Sequence, residues 1–117
     1  MARILVVDDA EFLRVRISKM LSGDGHEIIE AENGARAVEV YKNAHPDMVL
    51  MDITMPEMDG LTALKEIRAF DSKAKVIMLT ALGQESVVLE AIKSGARDFV
   101  VKPFERERVL GAINKLI

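Results

Sequence analysis

Met48-Val49-Leu50-Met51-Asp52 is four apolar residues closed by an acid, and the same shape recurs along the chain. Ile4-Leu5-Val6-Val7 runs into Asp8-Asp9, Val76-Ile77-Met78-Leu79 into Thr80, and Phe99-Val100-Val101 into Lys102. Short runs that are apolar at every position read as strands buried on both faces, as in parallel sheets covered by helices. The polar residues that close the runs then collect along one edge of the sheet, at the carboxyl ends of the strands. Three carboxylates, a hydroxyl and an ammonium group at one edge make a site for a divalent cation and a phosphoryl group.

Between the runs the apolar spacing changes to three and four residues, the helical period. It is carried by Leu13, Ile17, Met20 and Leu21, by Ala37, Val38 and Tyr41, and by Leu61, Leu64 and Ile67. Val88, Ala91 and Ile92 make a fourth set, and Val109, Ala112, Ile113 and Leu116 a fifth. Gly23 and Gly25, Pro46, Asp71-Ser72 and Gly95 punctuate the helix ends. Five strand-helix units follow, an α/β domain. The second run, Glu27-Ile28-Ile29-Glu30-Ala31, is broken by charge and the fifth is short, so both suit the rims of the sheet. Right-handed crossovers then favour a five-stranded parallel sheet in the order 2-1-3-4-5 with five helices on both faces. That order is the one already known for flavodoxin-like sheets, and it makes the first and third strands neighbours.

At 117 residues the chain is expected to form one domain, 1–117, with no separate effector domain. Sixteen Lys and Arg against nineteen Asp and Glu leave a net charge of −3, which argues against a nucleic-acid surface. There is no cysteine, hence no disulfide and no thiolate metal site. No signal-peptide pattern and no apolar run of membrane-spanning length stand out, so a cytoplasmic location without membrane contact is expected.

Three converging carboxylates repel one another unless a cation neutralises them or one takes up a proton. Mg2+ suits them, because it prefers oxygen ligands and commonly combines one or two carboxylates with phosphate oxygens. Asp9 and Asp52 read as direct ligands and Asp8 as a direct or water-mediated one. Taken alone, either Asp8 or Asp9 has a plainer but weaker reading as a cap of the helix beginning near Ala10, and it loses ground once Asp52, Thr80 and Lys102 are added. Asp52 is the candidate nucleophile, since a carboxylate can attack phosphorus to give an aspartyl phosphate. Lys102 would set a positive charge against the phosphoryl oxygens. Thr80 could donate its hydroxyl to the adduct, or serve only as a strand-end threonine bonded to backbone.

Asp8-Asp9, the loop from Asp52 to Gly60, Thr80-Ala81, and Ala91 to Phe104 with Gly95-Ala96, Phe99 and Lys102-Pro103 together resemble the receiver domains of two-component response regulators. The resemblance covers essentially the whole chain, and Met51 to Gly60 with Ala91 to Phe104 look most like the single-domain chemotaxis type. It implies that Asp52 accepts phosphate from a phosphohistidine on a sensor kinase. It implies Mg2+ held by Asp8, Asp9, Asp52 and the backbone carbonyl of Thr54, Lys102 on the phosphoryl group, and a cis peptide between Lys102 and Pro103. It also implies a switch in which Thr80 moves to the phosphate and Phe99 turns inward, and an output partner such as a flagellar motor switch component. The expected output surface lies on the fourth helix, fifth strand and fifth helix, where Val87, Val88, Leu89, Ala91 and Ile92 cover more of the fourth helix than one buried stripe needs. Phe12, beside the acidic pair, is a candidate for docking the phosphohistidine domain. Thr54 and Leu82 occupy positions that tune access of water to the phosphate, and Leu82 cannot orient water by hydrogen bonding.

A phosphorelay intermediate and a receiver from a transcription factor remain alternatives within that family. Outside it, an aspartyl-phosphate phosphatase would need a second aspartate two residues after the nucleophile, where this chain has Thr54, so a signalling domain that catalyses only its own phosphorylation and dephosphorylation is the favoured expectation. His26 and His45 read as isolated, solvent-facing residues without a role.

Overall fold

The computed structural model describes residues 2–53, 55, 58–81 and 83–117. Strands β1 (Arg3–Val7), β2 (Glu27–Ala31), β3 (Met48–Asp52), β4 (Val76–Thr80) and β5 (Asp98–Val101) alternate with helices α1 (Glu11–Gly23), α2 (Gly34–Ala44), α3 (Gly60–Phe70), α4 (Glu85–Lys93) and α5 (Arg106–Leu116). All neighbouring strands pair parallel, in the order β2-β1-β3-β4-β5. The expected architecture is therefore the observed one. Asp52 and Thr80 are the last residues of their strands, not the first residues beyond them, a shift of one position.

Side chains alternate across the sheet and fill two separate cores. Leu5, Val7, Val49, Met51 and Met78 face the layer of α2, α3 and α4. Ile4, Val6, Leu50, Ile77 and Leu79 face α1 and α5. Every residue of β3 and β4 is buried, whereas Glu27 and Glu30 of β2 and Phe99 and Val101 of β5 are exposed, as rim strands allow. Two helix starts are fixed by side-chain caps. Asn33 accepts from the Arg36 amide at 2.8 Å and Asp59 from the Thr62 amide at 2.8 Å, each satisfying a donor that the first helical turn leaves unpaired. Among the described residues no helix is long and apolar enough to cross a membrane.

His26 departs from expectation. It is buried, not solvent-facing, and its Nδ1 accepts the Ala2 amide at 3.1 Å. The pairing of Arg3 with Glu27 brings the residues before them side by side, and the buried Ala2 N–H needs an acceptor that the ladder does not supply. His45 is exposed, with its ring tilted over Phe70.

Candidate functional site

Strand register builds the site. Val7 lies opposite Met51, so Asp8, one residue on, stands level with Asp52. Thr80 lies opposite Val101, so Lys102 follows at the same edge, its amide donating to the Thr80 carbonyl at 2.6 Å. The carboxylates of Asp8, Asp9 and Asp52 each offer an oxygen within 4.8 Å of the others. The Lys102 ammonium sits 3.2 Å from Asp52 Oδ1 and 3.3 Å from Asp8 Oδ2. Four of the five expected groups thus converge.

Asp8 is fully buried. Its Oδ1 accepts the Ala10 amide at 2.9 Å, and its backbone carbonyl accepts from Arg14 Nη1 at 2.7 Å, while Arg14 Nε pairs with Glu30 at 2.9 Å. Asp8 braces the turn into α1 without capping the helix, whose N-cap position, Ala10, has no side-chain cap. Its other oxygen is left facing the lysine. Asp9 is exposed at the mouth of the cluster.

Asp52 is only 9% exposed, and burial is the largest influence on its carboxyl, raising the pKa above the ordinary carboxylate value. Lys102 pulls it back down, while Asp8 and, less strongly, Asp9 push it up. The surplus of negative charge over one lysine asks for a cation. Hard carboxylate oxygens are the donor set that Mg2+ takes, and metal–oxygen distances of about 2.1 Å place opposite ligands of an octahedron about 4.2 Å apart, close to the span of these three groups. The residues fit such an ion.

Two glycines allow close backbone approaches near the end of β3. A Cβ on Gly60 would lie 2.0 Å from the Asp52 carbonyl oxygen, so only glycine lets α3 begin against the strand end. The Gly60 amide donates to the Ile53 carbonyl at 2.7 Å. Gly34, opening α2, similarly approaches the Met58 carbonyl, to which its amide donates at 3.1 Å.

Thr80 is the fifth group, and its hydroxyl is turned aside. Thr80 Oγ1 lies 2.9 Å from Gln84 Oε1 and 3.2 Å from the Ala81 carbonyl. Behind it, between α4 and β5, opens a cavity of about 330 Å³ lined by Thr80, Val88, Leu89, Ile92, Phe99 and Val101. Of the apolar residues of α4, Val88 and Ala91 are buried, while Leu89 is 63% and Ile92 42% exposed. They continue into the partly exposed Phe99 and Val101, an apolar strip along the cavity. Phe12 projects from α1 and is 72% exposed. The Lys102–Pro103 peptide is cis. Thr54 and Leu82 lie outside the described residues.

Sequence reading overlooked Gln84 and Arg14. A glutamine at the start of a helix, four residues after a strand-end threonine, is a poor cap and hints that its side chain is used elsewhere. Arg14 carries no such signal, because its role depends on the turn between Asp8 and α1.

The model of the response regulator receiver domain matches residues 4–114. The chain belongs to the response-regulator receiver family. Among curated relatives it is 60% identical over 116 residues to the chemotaxis protein CheY of Bacillus subtilis, covering 98% of this chain and 97% of that one. The CheY of Thermotoga maritima is 52% identical over 115 residues, covering 97% and 96%. Among solved structures, the CheX–CheY–BeF3–Mg2+ complex from Borrelia burgdorferi superposes with a TM-score of 0.92 at 41% identity, covering 97% of this chain and 87% of that one. This receiver is thus CheY-like in sequence and in fold, and receivers are signalling domains.

Proposed function

We propose that this receiver, acting as a single unit over residues 1–117, is a phosphorylation-activated switch of chemotaxis. Asp52 is the acceptor: a carboxylate oxygen attacks the phosphorus of a phosphohistidine on a sensor kinase, the P–N bond breaks, and the imidazole leaves with the electron pair. The observation that carries this reading is the placement of the nearly buried Asp52 within 3.2 Å of Lys102 and beside Asp8 and Asp9. Mg2+, bound by Asp8, Asp9, Asp52 and the Thr54 carbonyl, would offset the negative charge that gathers on the phosphoryl oxygens. Lys102 leaves its carboxylate partners for the phosphoryl group, and Thr80 donates its hydroxyl to it. Phe12 docks the kinase's phosphohistidine domain.

The adduct carries roughly −1.5 to −2 charges and three acceptor oxygens. Drawing Thr80 towards them widens the space beside β5, and Phe99 turns from the surface into the cavity it already lines. The strip of Leu89, Ile92 and Val101 then changes shape on the face presented to an output partner, such as a component of the flagellar motor switch. With a kinase and a motor switch as partners, its site of action would be the cytoplasm.

The test is intact mass after incubation with Mg2+ and acetyl phosphate. One phosphate adduct is expected, dependent on Mg2+ and lost in Asp52→Asn. Absence of an adduct from the natural chain, or its persistence in Asp52→Asn, overturns the assignment.

A further inference from the structure

The Thr80 hydroxyl has one proton and two acceptors in reach, Gln84 Oε1 at 2.9 Å and the Ala81 carbonyl at 3.2 Å, and the shorter contact marks the stronger bond. Gln84 Oε1 lies 2.7 Å from the Ala81 amide and 2.9 Å from Thr80 Oγ1. A backbone N–H can only donate, so the side-chain atom facing it is the amide oxygen and not the nitrogen. The same oxygen can only accept from Thr80, which fixes the hydroxyl as donor. A proton given to Gln84 is not available to a phosphoryl group on Asp52. Thr80 is almost fully buried, so the bond is sheltered from competing water.

Gln84 also stands at the N-cap position of α4, with φ −108° and ψ 26° and no cap bond to its own helix. Its side chain reaches back over the β4–α4 turn, tying the switch threonine, the first amide of the loop and the start of α4 to one oxygen. We propose that Gln84 is a positioning residue that latches Thr80 in the unphosphorylated orientation, so that activation requires the Thr80–Gln84 hydrogen bond to be exchanged for one to the phosphoryl group. Resting on the reading of Asp52 and Thr80 above, this adds what opposes the switch and links Thr80 to the first turn of α4, beside the strip offered to partners. Breaking the latch frees the Thr80 proton and loosens the loop in one event.

The test is the affinity of the full chain for beryllofluoride, a phosphoryl mimic, in Mg2+, measured by calorimetry. Removing one sheltered hydrogen bond from the resting state should make Gln84→Ala bind about three- to fivefold more tightly. In a Thr80→Val background, which has no hydroxyl to latch, the same substitution should change affinity less than about twofold. Gln84→Glu keeps the acceptor and adds charge assistance, so it should bind about threefold more weakly, and again only when Thr80 is present. In the metal-free chain, amide exchange at Ala81 should accelerate in Gln84→Ala and return to its natural rate in Gln84→Glu. Unchanged or weaker binding by Gln84→Ala, or an equal effect with and without Thr80, overturns the latch. Should Gln84→Ala fail to fold, Gln84→Glu decides alone: tighter or unchanged binding, or weakening that survives Thr80→Val, overturns it. If the natural chain does not bind beryllofluoride at all, the phosphoacceptor reading fails and the latch fails with it.

Discussion

Asp52 is held in the folded chain against its own preference for water. Burial raises its pKa, and Lys102, shared with Asp8, does not fully compensate. Between the unfolded value of about 3.9 and the raised folded value, the folded chain binds more protons than the unfolded one. Stability therefore falls as pH rises through that window. Asparagine has nearly the shape of the protonated acid and no charge to bury. In the absence of divalent cations, Asp52→Asn is expected to raise the melting temperature by a few degrees at pH 7, with the gain shrinking towards zero below about pH 4. Thermal melts across pH in chelator check it, and a variant that melts lower at pH 7 would show that the ion pair with Lys102 outweighs burial.

At the scale of elements, the helix starts decide where the reacting groups sit. Gly60 opens α3 against the Asp52 carbonyl, where a Cβ would approach to 2.0 Å and meet backbone that would have to shift. Gly60→Ala should cost about 1–3 kcal/mol or more and slow phosphorylation, because relief of the clash shifts the acceptor strand or the helix. Gly111, exposed in the middle of α5 with open space around it, is the contrasting case. Gly111→Ala should stabilise by about 0.4–1 kcal/mol and leave phosphorylation unaltered. Denaturant melts of the two variants with acetyl phosphate labelling separate these outcomes. The same scale explains what was legible in the sequence. Strands β1, β3 and β4 announce themselves by apolar runs because both faces are covered, and Asp8, Asp9 and Asp52 are legible because charge at the end of such a run has only the sheet edge to occupy, while Lys102 closes a shorter, half-exposed run at the rim. The burial of His26 depends on an orphan amide at Ala2, and the rotamer of Thr80 on a glutamine from the next helix. Neither leaves a periodic trace, since both arise from pairings between elements. The width of the apolar surface of α4 was visible, but not which part stays exposed, because Leu89 and Ile92 depend on how far α4 stands off β5.

Across the whole molecule, two apolar cores hold the sheet rigid from both sides while its carboxyl edge gathers like charges. Cation binding should therefore report on global stability, since an ion that binds the folded chain and not the unfolded one stabilises it by RT ln(1 + [L]/Kd). At a hundredfold excess over Kd that is about 2.7 kcal/mol, or roughly 10 °C for a chain of this length. Mg2+ should produce a shift of that size at neutral pH and progressively less in acid, where protons occupy the carboxylates. Asp9→Asn tests the location, since Asp9 is exposed and its loss leaves the buried ion pairs of Lys102 with Asp8 and Asp52 in place. Its metal-free melt should stay near that of the natural chain while most of the Mg2+ shift disappears. An undiminished shift in Asp9→Asn would place the ion elsewhere on the molecule and separate cation binding from the chemistry of Asp52.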